Sequence, residues 1–246
     1  MGVNMKSLKS VVIPLVLVVG IFCSNSLYGL SSPEAVIQNF ISQMKNANID
    51  AAINLSPFCV DRLVNKITPR ENLLYINSLL PTDNLIFPSA SIRKYELLGR
   101  YSTQIKFFVY SILLPEEFNQ FINYMPMSNI NENIINRFFS ALNFQNLRSL
   151  EIVRFDRSNP EVQFSERGRS YNDNQKKIYG FDERVEYTVL YRLNGKYYVG
   201  GMTIVKYGND WYLLSLNSMC ANTPTSGAIE LVPGIADYLA NYGIRE

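Results

Sequence analysis

The sequence predicts an α+β fold, in which a curved, mostly antiparallel sheet wraps on helices from the N-terminal part of the chain. Three observations carry this. Apolar residues recur at helical spacing soon after the N-terminus. The stretch "VEYTVLYRLNGKYYVGGMTIVKYGNDWYLLSL" reads as three alternating strands joined by two tight turns. The 246 residues are 47% hydrophobic and 18% charged, which suits one globular domain.

The first segment is not part of that domain. Lys6 and Lys9 precede an apolar run from Val11 to Cys23, and the small residues Ser24 and Ser26 follow. Charged, apolar, then small is the order of a secretory signal, with cleavage expected before Leu27. The run is shorter than the ~20 residues of a membrane span, and Pro14 interrupts it. Two alternatives stay open: a lipoprotein with Cys23 lipidated as its first residue, or an uncleaved anchor. Each places the folded part outside the cytoplasm, periplasmic or extracellular. Membrane attachment follows only from the last two. The expected division is therefore a signal over 1–26 and one domain over 27–246, with a helical insertion near 115–143.

Ser32-Pro33-Glu34 opens the domain with three helix-start signals, a capping hydroxyl, a proline for the first turn and an acid for the positive helix end. Val36, Ile37, Phe40, Ile41 and Met44 then form one stripe. A second short helix is expected through Ala51, Ala52, Ile53 and Leu55, and Ser56-Pro57 starts a third. Thr68 and Glu71 have the spacing of a capping box, opening a helix that runs towards Leu80. Residues 93–101 and 103–114 are rich in aromatic and β-branched side chains and read as two strands. Helices are expected again in "PEEFNQFINYM" and in "SNINENIINRFFSAL", the latter with Ser128 as cap and Ile130, Ile134, Phe138 and Leu142 as stripe. "SLEIVRFDR" reads as a strand. Residues 156–184 are polar, charged and poor in aliphatics, and read as a long loop.

In the closing meander, Val185, Tyr187, Val189, Tyr191 and Leu193 share one strand face. Glu186, Thr188, Leu190 and Arg192 share the other. Asn194-Gly195 predicts a tight hairpin in which both turn residues take positive φ, and Gly200-Gly201 suggests a bulge or bend. Neither face is wholly polar, so both are expected to be covered at least in part.

Several chemistries are excluded. The chain contains no histidine, which removes imidazole bases, Ser-His-Asp and Cys-His pairs and His-ligated zinc. Three cysteines, one of them in the leader, do not make a thiolate metal site, and neither GxGxxG nor GxxxxGK[ST] occurs. No cofactor and no metal are expected. Lys6 and Lys9 account for the excess of 23 basic over 21 acidic residues, so the remaining chain is neutral and gives no electrostatic reason to bind nucleic acid. Cys59 and Cys220 remain an even pair in an oxidising compartment, either as a disulfide or as two buried thiols. Arg154, Arg157, Arg167, Arg169, Lys176, Lys177 and Arg184 gather around the polar stretch with Tyr171, Tyr179 and Phe181, but interleaved acids favour a solvated surface.

The pair "SPEAVIQNFISQMKNANIDAAINL" and "YTVLYRLNGKYYVGGMTIVKYGNDWYLLSL" resembles the NTF2-like superfamily. That family opens on a helix and a small-Asp-Ala-Ala step, and closes on bent strands with a G-K-Y-Y-V turn and a D-W-Y-L-L last strand. The matching parts are residues 32–55 and 184–217. The resemblance implies a cone with an open mouth, and some enzymes of the superfamily use an Asp and a Tyr inside it. Here Tyr187, Tyr191 and Tyr198 would supply hydroxyls, with Glu186 and Glu151 as the nearby carboxylates and Trp211 at the head of the last strand. These tyrosines and Trp211 are the candidate ligand-binding residues; no catalytic residue is assigned. The expected function is a non-catalytic binding or interaction module of the cell envelope, its partner a small molecule or an envelope protein. The alternatives are an enzyme with a Tyr/carboxylate pair and a structural subunit that forms a homodimer through its sheet.

Overall fold

The computed structural model describes residues 29–67, 90–115, 118, 131–220 and 227–231. Helix α1 (Pro33–Lys45) begins as its sequence predicts: the Ser32 hydroxyl accepts the Ala35 N–H at 3.1 Å, and Pro33 and Glu34 fill the first turn. Its stripe of Val36, Ile37, Phe40, Ile41 and Met44 is buried. The short α2 (Ile49–Ile53) is capped by the Asn48 side chain, a 3₁₀ turn at Pro57–Cys59 by Ser56, and α3 (Asp61–Val64) follows. The Thr68–Glu71 box and the helix expected after it lie outside the described residues.

Helix α4 (Ala90–Leu113) replaces the two strands expected over 93–114. The residues are β-formers, but their period is helical. Leu97, Tyr101, Ile105, Phe108 and Ile112 are spaced by three or four and all are buried. Ser102 and Thr103 tolerate the helix because each hydroxyl donates to the carbonyl four residues back, Leu98 and Gly99. Burial of a continuous stripe outweighs single-residue propensities of a few tenths of a kcal/mol each.

Helix α5 (Glu132–Ala141) is capped by Asn131, whose side chain accepts the Ile134 N–H at 3.0 Å. Ser128, and all of "PEEFNQFINYM" except Pro115 and Phe118, lie outside the described residues. Phe138 packs edge-to-face on Tyr110 of α4 and on Phe118. A 3₁₀ segment (Phe144–Ser149) leads into strand β1 (Glu151–Arg157).

The long loop expected over 156–184 is instead two helices, α6 (Pro160–Gln163) and α7 (Glu166–Tyr179). The local signals are present in the sequence. Ser165 caps α7 by accepting the Gly168 N–H at 3.1 Å, and Gly180 ends it at φ 67°. The helix is polar nearly all round, burying only Gln175 and Ile178, so no apolar stripe announces it.

Strands β2 (Glu183–Leu193), β3 (Lys196–Tyr207), β4 (Asp210–Ser215) and β5 (Ala228–Leu231) complete the sheet. The order is β1-β2-β3-β4, all antiparallel, with β5 also on β3. Asn194 and Gly195 take φ 51° and 81°, as the hairpin requires. The expected bulge at Gly200-Gly201 is not formed: the β2–β3 register runs unbroken through both glycines. The bulges that bend the sheet lie between Ile152 and Arg154 and between Thr203 and Ile204. Gly200 serves close approach. A Cβ there would meet the Tyr191 ring at 3.0 Å and the Gly227 carbonyl at 3.3 Å.

β4 and β5 lie end to end along one edge of β3, β4 against Thr203–Tyr207 and β5 against Tyr197–Gly200. They act as one long strand interrupted by residues 216–227. Helix α4 pins both ends of the interruption: the Gln104 side chain accepts the Leu216 N–H at 2.7 Å, and Ser111 Oγ accepts the Ala228 N–H at 2.8 Å.

The expected Cys59–Cys220 disulfide is not formed. Both are free thiols at separate places, Cys59 donating to the Ile53 carbonyl and Cys220 beside Glu186. Among the described residues no helix is long and apolar enough to cross a membrane.

Candidate functional site

The inner face of the sheet carries the tyrosines that the sequence singles out. Tyr191 is 1% exposed and meets Phe108 of α4 edge-to-face at 5.5 Å; Phe108 in turn meets Phe40 of α1 at 5.5 Å. Such pairs add about 0.5–1.5 kcal/mol each beyond area burial. Sheet, α4 and α1 are therefore joined through one line of rings. Burial pushes the Tyr191 hydroxyl well above its ordinary pKa. Tyr198, directly across from Tyr191, donates to the Ile112 carbonyl at 3.4 Å. Trp211 is 7% exposed, bridges to Leu30 and carries the Lys206 ammonium over its ring at 5.5 Å. All four candidate residues lie in the packed interior.

Tyr187 has a partner that the sequence did not suggest. Its hydroxyl donates to Glu34 Oε1 at 2.5 Å, joining residues 153 positions apart. The Tyr187 bond holds the Glu34 carboxyl below its usual range, helped by the charge of Arg157. Burial and the Glu34 contact push Tyr187 up to about 12. Glu34 reads in the sequence only as a helix-start acid, and no local pattern links it to β2.

The outer face holds a buried polar cluster. Glu186 is fully buried and pairs with Arg184, whose side chain is also buried. Its second oxygen accepts the Ser218 hydroxyl at 2.5 Å and the Cys220 N–H at 2.9 Å. With the Ser218 proton on Glu186, Ser158 donates to Ser218 at 3.1 Å and accepts from Thr188 at 2.9 Å. Arg184 also reaches Asn172 of α7 at 2.5 Å and lies over the Tyr171 ring. One carboxylate thus ties β2, α7 and the start of the 216–227 interruption. The Cys220 thiol is pushed up to about 12, first by burial and then by the charge of Glu186. It is a poor nucleophile at neutral pH. Glu151, the other carboxylate considered, sits on the surface bound to Arg192 at 2.6 Å.

An open groove of about 470 Å³ lies between α1 and the start of β1. Gln38, Ser42 and Asn46 line one bank at steps of four residues. Ile41, Leu150 and Ile152 form an apolar floor, and Lys45 and Glu151 face each other at the rim. The sequence shows α1 as a core helix; its outer, polar side becomes a groove wall only because β1 begins beside it.

No protein-family model matches the chain, and no curated protein matches it. Among solved structures the chain is similar to a cystatin-like protein from Ruminococcus gnavus ATCC 29149, with a TM-score of 0.54 and 17% identity. The alignment covers 84% of this chain and 43% of that one, so this chain spans less than half of the neighbour's length. At this identity the likeness is one of fold: an α+β domain with a bent antiparallel sheet packed on helices.

Proposed function

We propose that the chain is an exported, non-catalytic interaction module of the cell envelope that binds its partner on the surface, at the groove between α1 and β1. The reading is supported above all by the Tyr191–Phe108–Phe40 line of rings, which packs the inner face of the sheet on α4 and α1. A finer kinship with the NTF2-like superfamily is part of the same reading, since its start helix and closing meander pair across this interior. The leader supplies the reason for export, and the neutral charge of the rest disfavours nucleic acid.

The Tyr187–Glu34 pair invites an enzymatic alternative. Its protonation states speak against it. The tyrosine is held neutral and the carboxylate ionised, each with its pKa moved away from neutrality, whereas proton transfer needs a group poised near the working pH. The pair braces α1 against β2.

Two measurements test the reading. The mass of the processed chain is expected to begin at Leu27. Hydrogen exchange of the full chain is then followed in a solubilised envelope extract and in a cytosolic one. New protection at Gln38–Asn46 and Leu150–Ile152 in the envelope extract alone is the expected result. Protection centred on Tyr187, Tyr191 and Tyr198 would overturn it.

A further inference from the structure

We infer that the groove between α1 and β1 takes an extended peptide segment of a partner protein, added as a short strand to the open edge of β1. This inference rests on the surface-binding reading above and specifies its ligand. β1 ends the sheet, and among the described residues it pairs with β2 alone, so its other edge offers backbone N–H and C=O groups to an added strand. The opposite bank matches such a strand in spacing. Gln38, Ser42 and Asn46 rise along α1 by about 6 Å per step. Side chains on one side of a strand repeat at about 6.6–6.8 Å. A segment lying in the groove would therefore set every second side chain against one amide or hydroxyl of α1. The apolar floor under it, Ile41 and Ile152, suits small or β-branched groups.

Charge and geometry narrow the partner further. The charged residues of the groove lining are Lys45 and Glu151, one of each sign, so the lining has no net charge to match. Uncharged polar residues such as Thr, Ser, Asn and Gln fit it best. The register shift after Ile152 breaks the regular edge, which restricts addition to a few residues and disfavours long edge-to-edge pairing of two copies.

The test uses the ¹⁵N-labelled full chain and the capped peptide acetyl-Thr-Gln-Thr-Val-Thr-Asn-Thr-amide, with the same peptide N-methylated at alternate residues and cellobiose as controls. Saturable shifts are expected at the Leu150 and Ile152 amides and at the side-chain amides of Gln38 and Asn46. N-methylation is expected to weaken binding by about tenfold or more, because the ladder loses its donors. Ser42→Trp, at an exposed position, is expected to block the groove while Tyr191 resonances stay in place. Equal binding of the N-methylated peptide overturns strand addition. Shifts with cellobiose and none with the peptide overturn the peptide assignment and leave surface binding intact. Shifts at Tyr187, Tyr191 and Tyr198 with any probe overturn both, and no shift with the peptide at millimolar concentration overturns the inference.

Discussion

Two long-range polar contacts, one buried at Glu186 and one partly buried at Tyr187, tie β2 to other parts of the chain. Glu186 is fully buried with Arg184 as its ion partner and with Ser218 and the Cys220 N–H as further donors. Removing one side of such a pair leaves a buried charge uncompensated. Glu186→Gln is therefore expected to cost about 3–5 kcal/mol in urea unfolding. Burial, and after it the same carboxylate, raises the Cys220 thiol, so Cys220 in the native protein is expected to resist iodoacetamide at pH 8 and to label rapidly once urea unfolds the chain. Fast native labelling would show that the cluster is open. Tyr187→Phe removes the donor that holds Glu34 ionised. The folded carboxyl lies below its usual range, so its contribution is present above an unfolded value of about 4.3 and is lost as pH falls through the folded value. The wild type is expected to exceed Tyr187→Phe by about 1 kcal/mol at pH 7, and the gap to narrow below about pH 4. A gap that widens in acid would contradict this assignment.

At the scale of elements, legibility followed how local the signal was. Helix α1 could be read from its cap and stripe, and the β2–β3 hairpin from Asn194-Gly195 and alternation, because those signals lie within a few residues. Helix α4 reads as strand because its aromatic and β-branched composition masks the helical spacing of Leu97, Tyr101, Ile105, Phe108 and Ile112. Helix α7 reads as loop because a polar helix shows no stripe, although Ser165 and Gly180 mark both its ends. Of the site, the tyrosines of the sheet face were legible. The partners were not, since Glu34 meets Tyr187, and Ser218 meets Glu186, only through the tertiary fold. The α4 assignment has its own consequence. Gly99 lies inside the helix, and a Cβ there would meet nothing within 4 Å. Gly99→Ala is expected to stabilise the protein by about 0.5–1 kcal/mol, read from its thermal or urea midpoint. Destabilisation would argue against a helix at this position.

At the scale of the molecule, the bent sheet packs on α1 and α4. The chain shares this architecture with a much longer cystatin-like protein, but at 17% identity the shared part is the scaffold alone. The ring packing of the interior turns attention to the open groove beside β1, where sheet edge and polar helix side meet. The most direct test of that account is xenon NMR of the wild type beside Phe108→Ala. Xenon enters apolar voids of suitable size. The resonances of Tyr187, Tyr191 and Phe40 are expected to stay unmoved by xenon in the wild type, and those of Tyr191 and Phe40 to shift in Phe108→Ala, which opens a void between them. Xenon bound beside Tyr187 or Tyr191 in the wild type would mean that the cone is hollow, and would return the ligand to its interior.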